Sequence, residues 1–231
     1  MLLDQTIAGR RCTLWVPEGT GPFALSLCCC GSASELLPQL GALSPNRLFV
    51  SPEADWEIDF TPWPAPTLQG GRPFANGSVL GGAPAFLRWV EWELLPALAA
   101  RFALNPAQNS ILGYSLGGLF ALWAVCQSEA FSQCACLSGS LWYPGWVNFL
   151  KEHAPKPPQR VYLSLGKKEE KSGPAVMRAV GDATRQSAGL LAQSLGYENT
   201  VLEWNPGGHF APALPRWEKA LAWLDFPQNN R

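Results

Sequence analysis

The sequence predicts an α/β fold, a doubly wound and mostly parallel sheet with helices on both faces. Three observations carry that expectation. Apolar runs at Phe23–Cys30, Leu48–Val50 and Ile111–Leu112 show no alternation, as expected for strands buried on both faces. Segments with helical residues separate them, the pattern of βα units in a parallel sheet. The third run breaks at a serine set among glycines, Gly113-Tyr114-Ser115-Leu116-Gly117-Gly118, and continues into the apolar helical run Leu119–Val125.

Taken in order, Arg10–Val16 reads as the opening strand, stopped by Pro17 and Gly19. Phe23–Cys30 is the next strand and ends at Gly31, and a short helix is expected from Ser34. Leu48–Val50 is a third strand. Then the pattern stops: Pro52 to Asn76 carries Pro62, Pro64, Pro66 and Pro73 among Trp56, Phe60, Trp63 and Phe74. So long a loop in a compact domain reads as functional or disordered, and its rings argue for packing. It serves either as a substrate wall or as a cover on a sheet edge.

Residues 83–102 read as the longest helix, with Phe86, Val90, Leu94 and Leu98 on one stripe and a kink at Pro96. Beyond the serine turn, Cys134–Ser138, Arg160–Leu165 and Thr200–Trp204 read as strands. Pro174–Leu195 and Ala213–Phe226 read as helices. No repeat or linker divides the chain, so residues 1–231 are expected to form one domain.

Bulk properties exclude several functions. The formal net charge is −1, which gives no basic field for nucleic acid or anionic membrane. No apolar run approaches a membrane span, and the opening residues, with Asp4 and Gln5, do not resemble a signal peptide. A cytoplasmic protein is expected. The seven cysteines are odd in number, with Cys28, Cys29 and Cys30 consecutive and no Cys-x-x-Cys pair. They read as buried reduced thiols rather than disulfides or a metal site.

Gly-x-Ser-x-Gly between a strand and a helix is the pattern of a nucleophile elbow, which lifts a serine hydroxyl above a sheet edge. The turn needs a strained backbone, and side chains at the glycine positions would collide with neighbouring elements. The helix start also aims N–H groups and its positive end where an oxyanion would form. A serine hydroxyl is inert without a base, so Ser115 calls for a histidine oriented by a carboxylate. Only His153 and His209 are present. His153 lies in a charged, Pro-bounded segment expected to face solvent. His209 follows the last strand in a glycine turn, at the carboxyl edge where the elbow also lies. His209 is therefore the expected base. The acid should follow the Arg160–Leu165 strand: Glu169 is the first choice, Glu170 the second, and a Ser–His dyad the third reading. Asp182 falls within the following helix. Leu116 is expected to supply one oxyanion N–H and Ser32 the other. Trp63, Trp142 and Tyr143 are expected substrate contacts, with core packing as the alternative. No metal and no cofactor is expected.

The ordered motifs Asp59–Pro64, Trp92–Pro96, Gly113–Gly118, Ser138–Trp142, Gly166–Glu169 and Gly207–His209 resemble those of the putative-esterase (esterase D-like) family of α/β hydrolases. That family includes S-formylglutathione hydrolases, feruloyl esterases, mycolyltransferases and siderophore trilactone esterases. The resemblance is closest to the last branch, of enterochelin and bacillibactin type. It implies an α/β-hydrolase fold and a small-molecule ester substrate, a siderophore trilactone or an aryl ester. It also favours Glu169, because family members usually place the acid three residues after the glycine that ends its strand. Two positions depart from the family. Cys30 stands where an Asp is common, and no Arg or Lys lies between Arg47 and Arg72, which weakens an anionic ferric-siderophore reading. Lys167, Lys168, Lys171 and Arg178 either gather near the acid loop or form a solvated face. Acyl transfer on the same scaffold and a non-catalytic binding protein are the alternative functions.

Overall fold

Among the described residues eight strands form one sheet, in the order β1 (Leu2–Ile7), β2 (Arg10–Trp15), β4 (Arg47–Pro52), β3 (Ala24–Cys29), β5 (Ser110–Tyr114), β6 (Gln133–Leu137), β7 (Arg160–Gly166) and β8 (Thr200–Asn205). The computed structural model describes residues 1–65, 81–157, 159–171, 173 and 175–226. Pro66, Pro73 and Phe74 of the long loop, with Pro158 and Pro174, lie outside them. The chain opens with the hairpin β1 (Leu2–Ile7) and β2 (Arg10–Trp15). Ala8 and Gly9, both at positive φ, make its two-residue turn. β2 also pairs antiparallel with β4, and all other pairings are parallel.

Then follow β3 (Ala24–Cys29), α1 (Ala33–Leu43), β4 (Arg47–Pro52), α2 (Ala83–Trp89), a π-helical turn (Val90–Leu94) and α3 (Leu95–Ala99). The irregularity expected at Pro96 begins one turn earlier. Proline lacks an N–H and crowds the carbonyl four residues back, and the wider turn accommodates this. There the Leu95 N–H bonds the Val90 carbonyl, five residues back. β5 (Ser110–Tyr114) leads through Ser115 into α4 (Leu116–Gln127). The remainder is β6 (Gln133–Leu137), α5 (Trp146–Glu152), β7 (Arg160–Gly166), α6 (Ala175–Arg178), α7 (Val180–Leu195), β8 (Thr200–Asn205) and α8 (Leu214–Asp225).

The two faces of the sheet bury separate clusters. Leu27, Val50, Ile111, Cys134 and Leu163 pack with α2, α4 and α7 on one side. Cys28, Phe49, Leu112, Ala135 and Tyr162 pack with α1 and α8 on the other. The continuous apolar runs follow from this, because both alternating faces are covered. α4 runs through the first cluster, with Leu116 to Val125 all buried. No described helix is long and apolar enough to cross a membrane. All seven cysteines are unpaired.

Candidate active site

Ser115 sits between the end of β5 and the start of α4 at φ 58° and ψ −123°, a region a side chain rarely enters. Two glycines make the turn possible. A Cβ on Gly113 would lie 2.0 Å from the Gly117 carbonyl oxygen, and one on Gly117 would lie 2.2 Å from that of Cys29. The turn is anchored by the Ser115 N–H, which donates to the Leu137 carbonyl at 3.1 Å.

The loops after β7 and β8 meet this serine. His209 Nε2 lies 3.1 Å from Ser115 Oγ, and its Nδ1 lies 2.8 Å from Glu169 Oε2. Glu169, 6% exposed, occupies a short 3₁₀ turn after β7. Its Oε1 accepts from the Gly166 N–H at 2.7 Å, Ser138 Oγ at 2.8 Å and Arg216 Nη1 at 2.9 Å. Burial alone would raise its pKa, but hydrogen bonds from His209, Gly166 and Ser138 outweigh it and hold the carboxyl below its ordinary value. An ionised Glu169 can only accept, so Nδ1 carries the proton and the Nε2 lone pair faces the Ser115 hydroxyl.

The other candidates are engaged elsewhere. Glu170 pairs with Arg185 at 2.8 Å, as does Asp182 at 2.9 Å. His153 is exposed and stacks on Phe149, with centroids 4.7 Å apart.

A cavity of about 710 Å3 opens over Ser115. Trp142, Met177, Val180, Phe210 and Ala211 line it beside Ser140, Glu169 and His209. Trp63 and Tyr143 are not brought to it. The Tyr143 hydroxyl donates to the Trp63 carbonyl at 2.5 Å, Trp63 Nε1 donates to the Pro144 carbonyl at 2.9 Å, and Tyr143 is 2% exposed. Both rings pack the loops together. Nor do Lys167, Lys168, Lys171 or Arg178 line the cavity.

Leu116 opens α4, where backbone N–H groups have no partner within the helix. Ser32 caps α1 and lines a second cavity of about 330 Å3 with Gly31, Ser51, Arg11 and Trp56. Cys29 pairs with Gly113 across β3 and β5, which brings the Gly31–Ser32 loop next to the elbow. Burial pushes the neighbouring Cys30 thiol up to about 11, so it is no rival nucleophile. Among the described residues no cluster of His, Cys, Asp or Glu could hold a metal ion.

Residues 42–223 match the family described as putative esterase. The chain belongs to that family. This esterase is therefore a carboxylic-ester hydrolase. It is 25% identical over 188 residues to the uncharacterized protein YbbA of Bacillus subtilis (strain 168), covering 78% of this chain and 74% of that one. An IroE-like serine hydrolase from Shewanella oneidensis superposes with a TM-score of 0.80 at 20% identity, over 96% of this chain and 79% of that one. The siderophore hydrolase EstA from Aspergillus nidulans gives 0.71 at 17% identity, over 96% and 93%. The enterobactin esterase FES from Shigella flexneri gives 0.68 at 21% identity, over 97% of this chain and 57% of that one. At such identities the likeness establishes the α/β-hydrolase fold.

Sequence reasoning missed four parts of the site. Ser138, at φ 45°, bonds Glu169, Tyr114 bonds the His209 carbonyl, Arg216 reaches Glu169 from α8, and Phe210 stands at the cavity rim. Ser138 and Tyr114 lay inside motifs already singled out. Arg216 gave no signal, since a charged residue in an amphipathic helix is expected to face solvent.

Proposed function

We propose that this esterase cleaves its ester through an acyl-enzyme on Ser115, with His209 as general base and acid and Glu169 as the orienting carboxylate. One observation carries the reading: an unbroken hydrogen-bonded line from Ser115 Oγ through both nitrogens of His209 to Glu169 Oε2. Ser115 Oγ attacks the ester carbonyl as His209 Nε2 takes its proton. The backbone N–H groups of Leu116 and Ser32 receive the oxyanion. His209 then protonates the departing alcohol. In the second half-reaction it takes a proton from the water that attacks the acyl carbonyl, then returns that proton to Ser115 Oγ as the acyl–Oγ bond breaks and the carboxylic acid leaves.

The substrate is an aryl ester or a catechol-bearing trilactone, with an aromatic group held against Trp142, Met177, Val180 and Phe210. The apolar lining supports this, since among the described residues that line the cavity the ionisable side chains are Glu169 and His209. Residues 1–231 act as one domain in this reading. A substrate panel of aryl esters, thioesters and catechol trilactones tests it, with Ser115→Ala as control. Turnover of an aromatic member that disappears in Ser115→Ala is expected. Turnover that survives the substitution would contradict the proposal.

A further inference from the structure

Arg216 lies in the first turn of α8. A cation there opposes the helix dipole, whose positive end is at that terminus. It is also 1% exposed, and a buried charge is costly unless paired and hydrogen-bonded. Helix electrostatics and burial therefore both disfavour an arginine here. Local rules broken together point to a functional demand.

The contacts show what that demand is. Nη1 donates to Glu169 Oε1 at 2.9 Å, to the Tyr114 hydroxyl at 2.9 Å and to Ser138 Oγ. Nη2 donates to the Gly208 carbonyl at 2.8 Å, one residue before His209. The Tyr114 hydroxyl in turn donates to the carbonyl of His209 at 2.6 Å. One guanidinium thus grips the acid loop and the histidine loop together. It occupies the carboxylate oxygen that His209 does not use, which leaves Oε2 aimed at Nδ1.

We infer that Arg216 is a positioning residue that acts through Glu169, holding its carboxylate oriented so that Oε2 accepts from Nδ1 of His209. The inference rests on the Ser115–His209–Glu169 reading. A carboxylate turned away from Nδ1 would leave the imidazole free to carry its proton on Nε2, where it could not accept from Ser115. Lysine cannot replace the group, because a single ammonium lacks the planar fork that reaches the carboxylate and the Gly208 carbonyl at once.

The test is a double-mutant cycle in kcat and KM with Arg216→Met and Glu169→Gln, each variant checked for folding by thermal melting. Arg216→Met should lower kcat about 100-fold, leave KM within about threefold, and add less than about threefold to the Glu169→Gln loss, as expected for groups acting as a unit. A purely structural arginine would cost the same factor in both backgrounds. Additive losses, or a kcat within threefold of wild type for Arg216→Met, overturn the inference. If Arg216→Met does not fold, Arg216→Lys takes its place in both backgrounds. It should lose at least about tenfold in kcat in the presence of Glu169 and less than about threefold in the Glu169→Gln background, and any other pattern counts against the inference. An unchanged kcat for Glu169→Gln alone would instead sink the triad reading itself.

Discussion

The Tyr114 hydroxyl donates to the backbone carbonyl of His209 at 2.6 Å, tying the residue before the nucleophile to the proposed base. The same hydroxyl accepts from Arg216 at 2.9 Å, and the two rings lie 5.3 Å apart. Tyr114→Phe keeps the ring and deletes both bonds. It should cost about 1–2 kcal/mol of stability and lower kcat several-fold with KM little changed. Denaturant titration and steady-state kinetics check the two parts separately.

Glu169 gives the fold a pH dependence of known sign. Its carboxyl titrates below its ordinary value in the folded protein because hydrogen bonds outweigh burial. A depressed folded-state pKa adds stability that is complete above the unfolded value, about 4.3, and is lost as pH falls through the folded value. Glu169→Gln removes that component, so its stability curve should be flatter below about pH 4.3. Urea midpoints measured from pH 3 to pH 7 check it, and parallel curves would assign the acid sensitivity to other carboxylates.

Ser138 combines an unfavourable backbone with a useful hydroxyl. It sits at φ 45° and donates to Glu169 at 2.8 Å. Ser138→Ala keeps the strain and loses the bond, whereas Ser138→Gly loses the bond and relieves the strain. The glycine variant should be more stable than the alanine variant by about 1 kcal/mol, with both reduced in kcat. Thermal unfolding of the pair gives the comparison directly.

Phe210 is 99% exposed and meets the His209 ring edge-on at 5.2 Å. An aromatic so placed supplies stacking without supporting the fold. Phe210→Ala should raise KM for an aryl ester about 3–10-fold, since such contacts contribute about 1 kcal/mol. Stability should change by less than about 0.5 kcal/mol. Equal effects on aryl and short aliphatic esters would remove Phe210 from substrate recognition.

The buried strands were legible because both faces of the sheet are covered, which turns β3 and β5 into unbroken apolar runs. The convergence of Ser115, Glu169 and His209 on one edge of the sheet was legible for a related reason. Each follows a strand end, and parallel strands deliver their following loops to one edge. β1 escaped notice because Asp4, Gln5 and Thr6 belong to an edge strand exposed along much of its length. Trp63 and Tyr143 show a different limit. A ring in a loop carries the same apolar surface whether it lines a cavity or glues two loops, and only their hydrogen bonds distinguish the two. Arg216 was illegible because nothing in a helical pattern tells which polar residue turns inward to a charge brought from 47 positions away.

In the proposed mechanism Ser115 is the nucleophile that His209 activates. Reaction with a fluorophosphonate, followed by peptide mapping with mass spectrometry, tests it most directly. A single phosphonyl adduct on the Ser115 peptide is expected, absent in Ser115→Ala and formed far more slowly in His209→Ala. An adduct that persists in Ser115→Ala, or labelling of Ser115 at an unchanged rate without His209, would rule out the proposed mechanism.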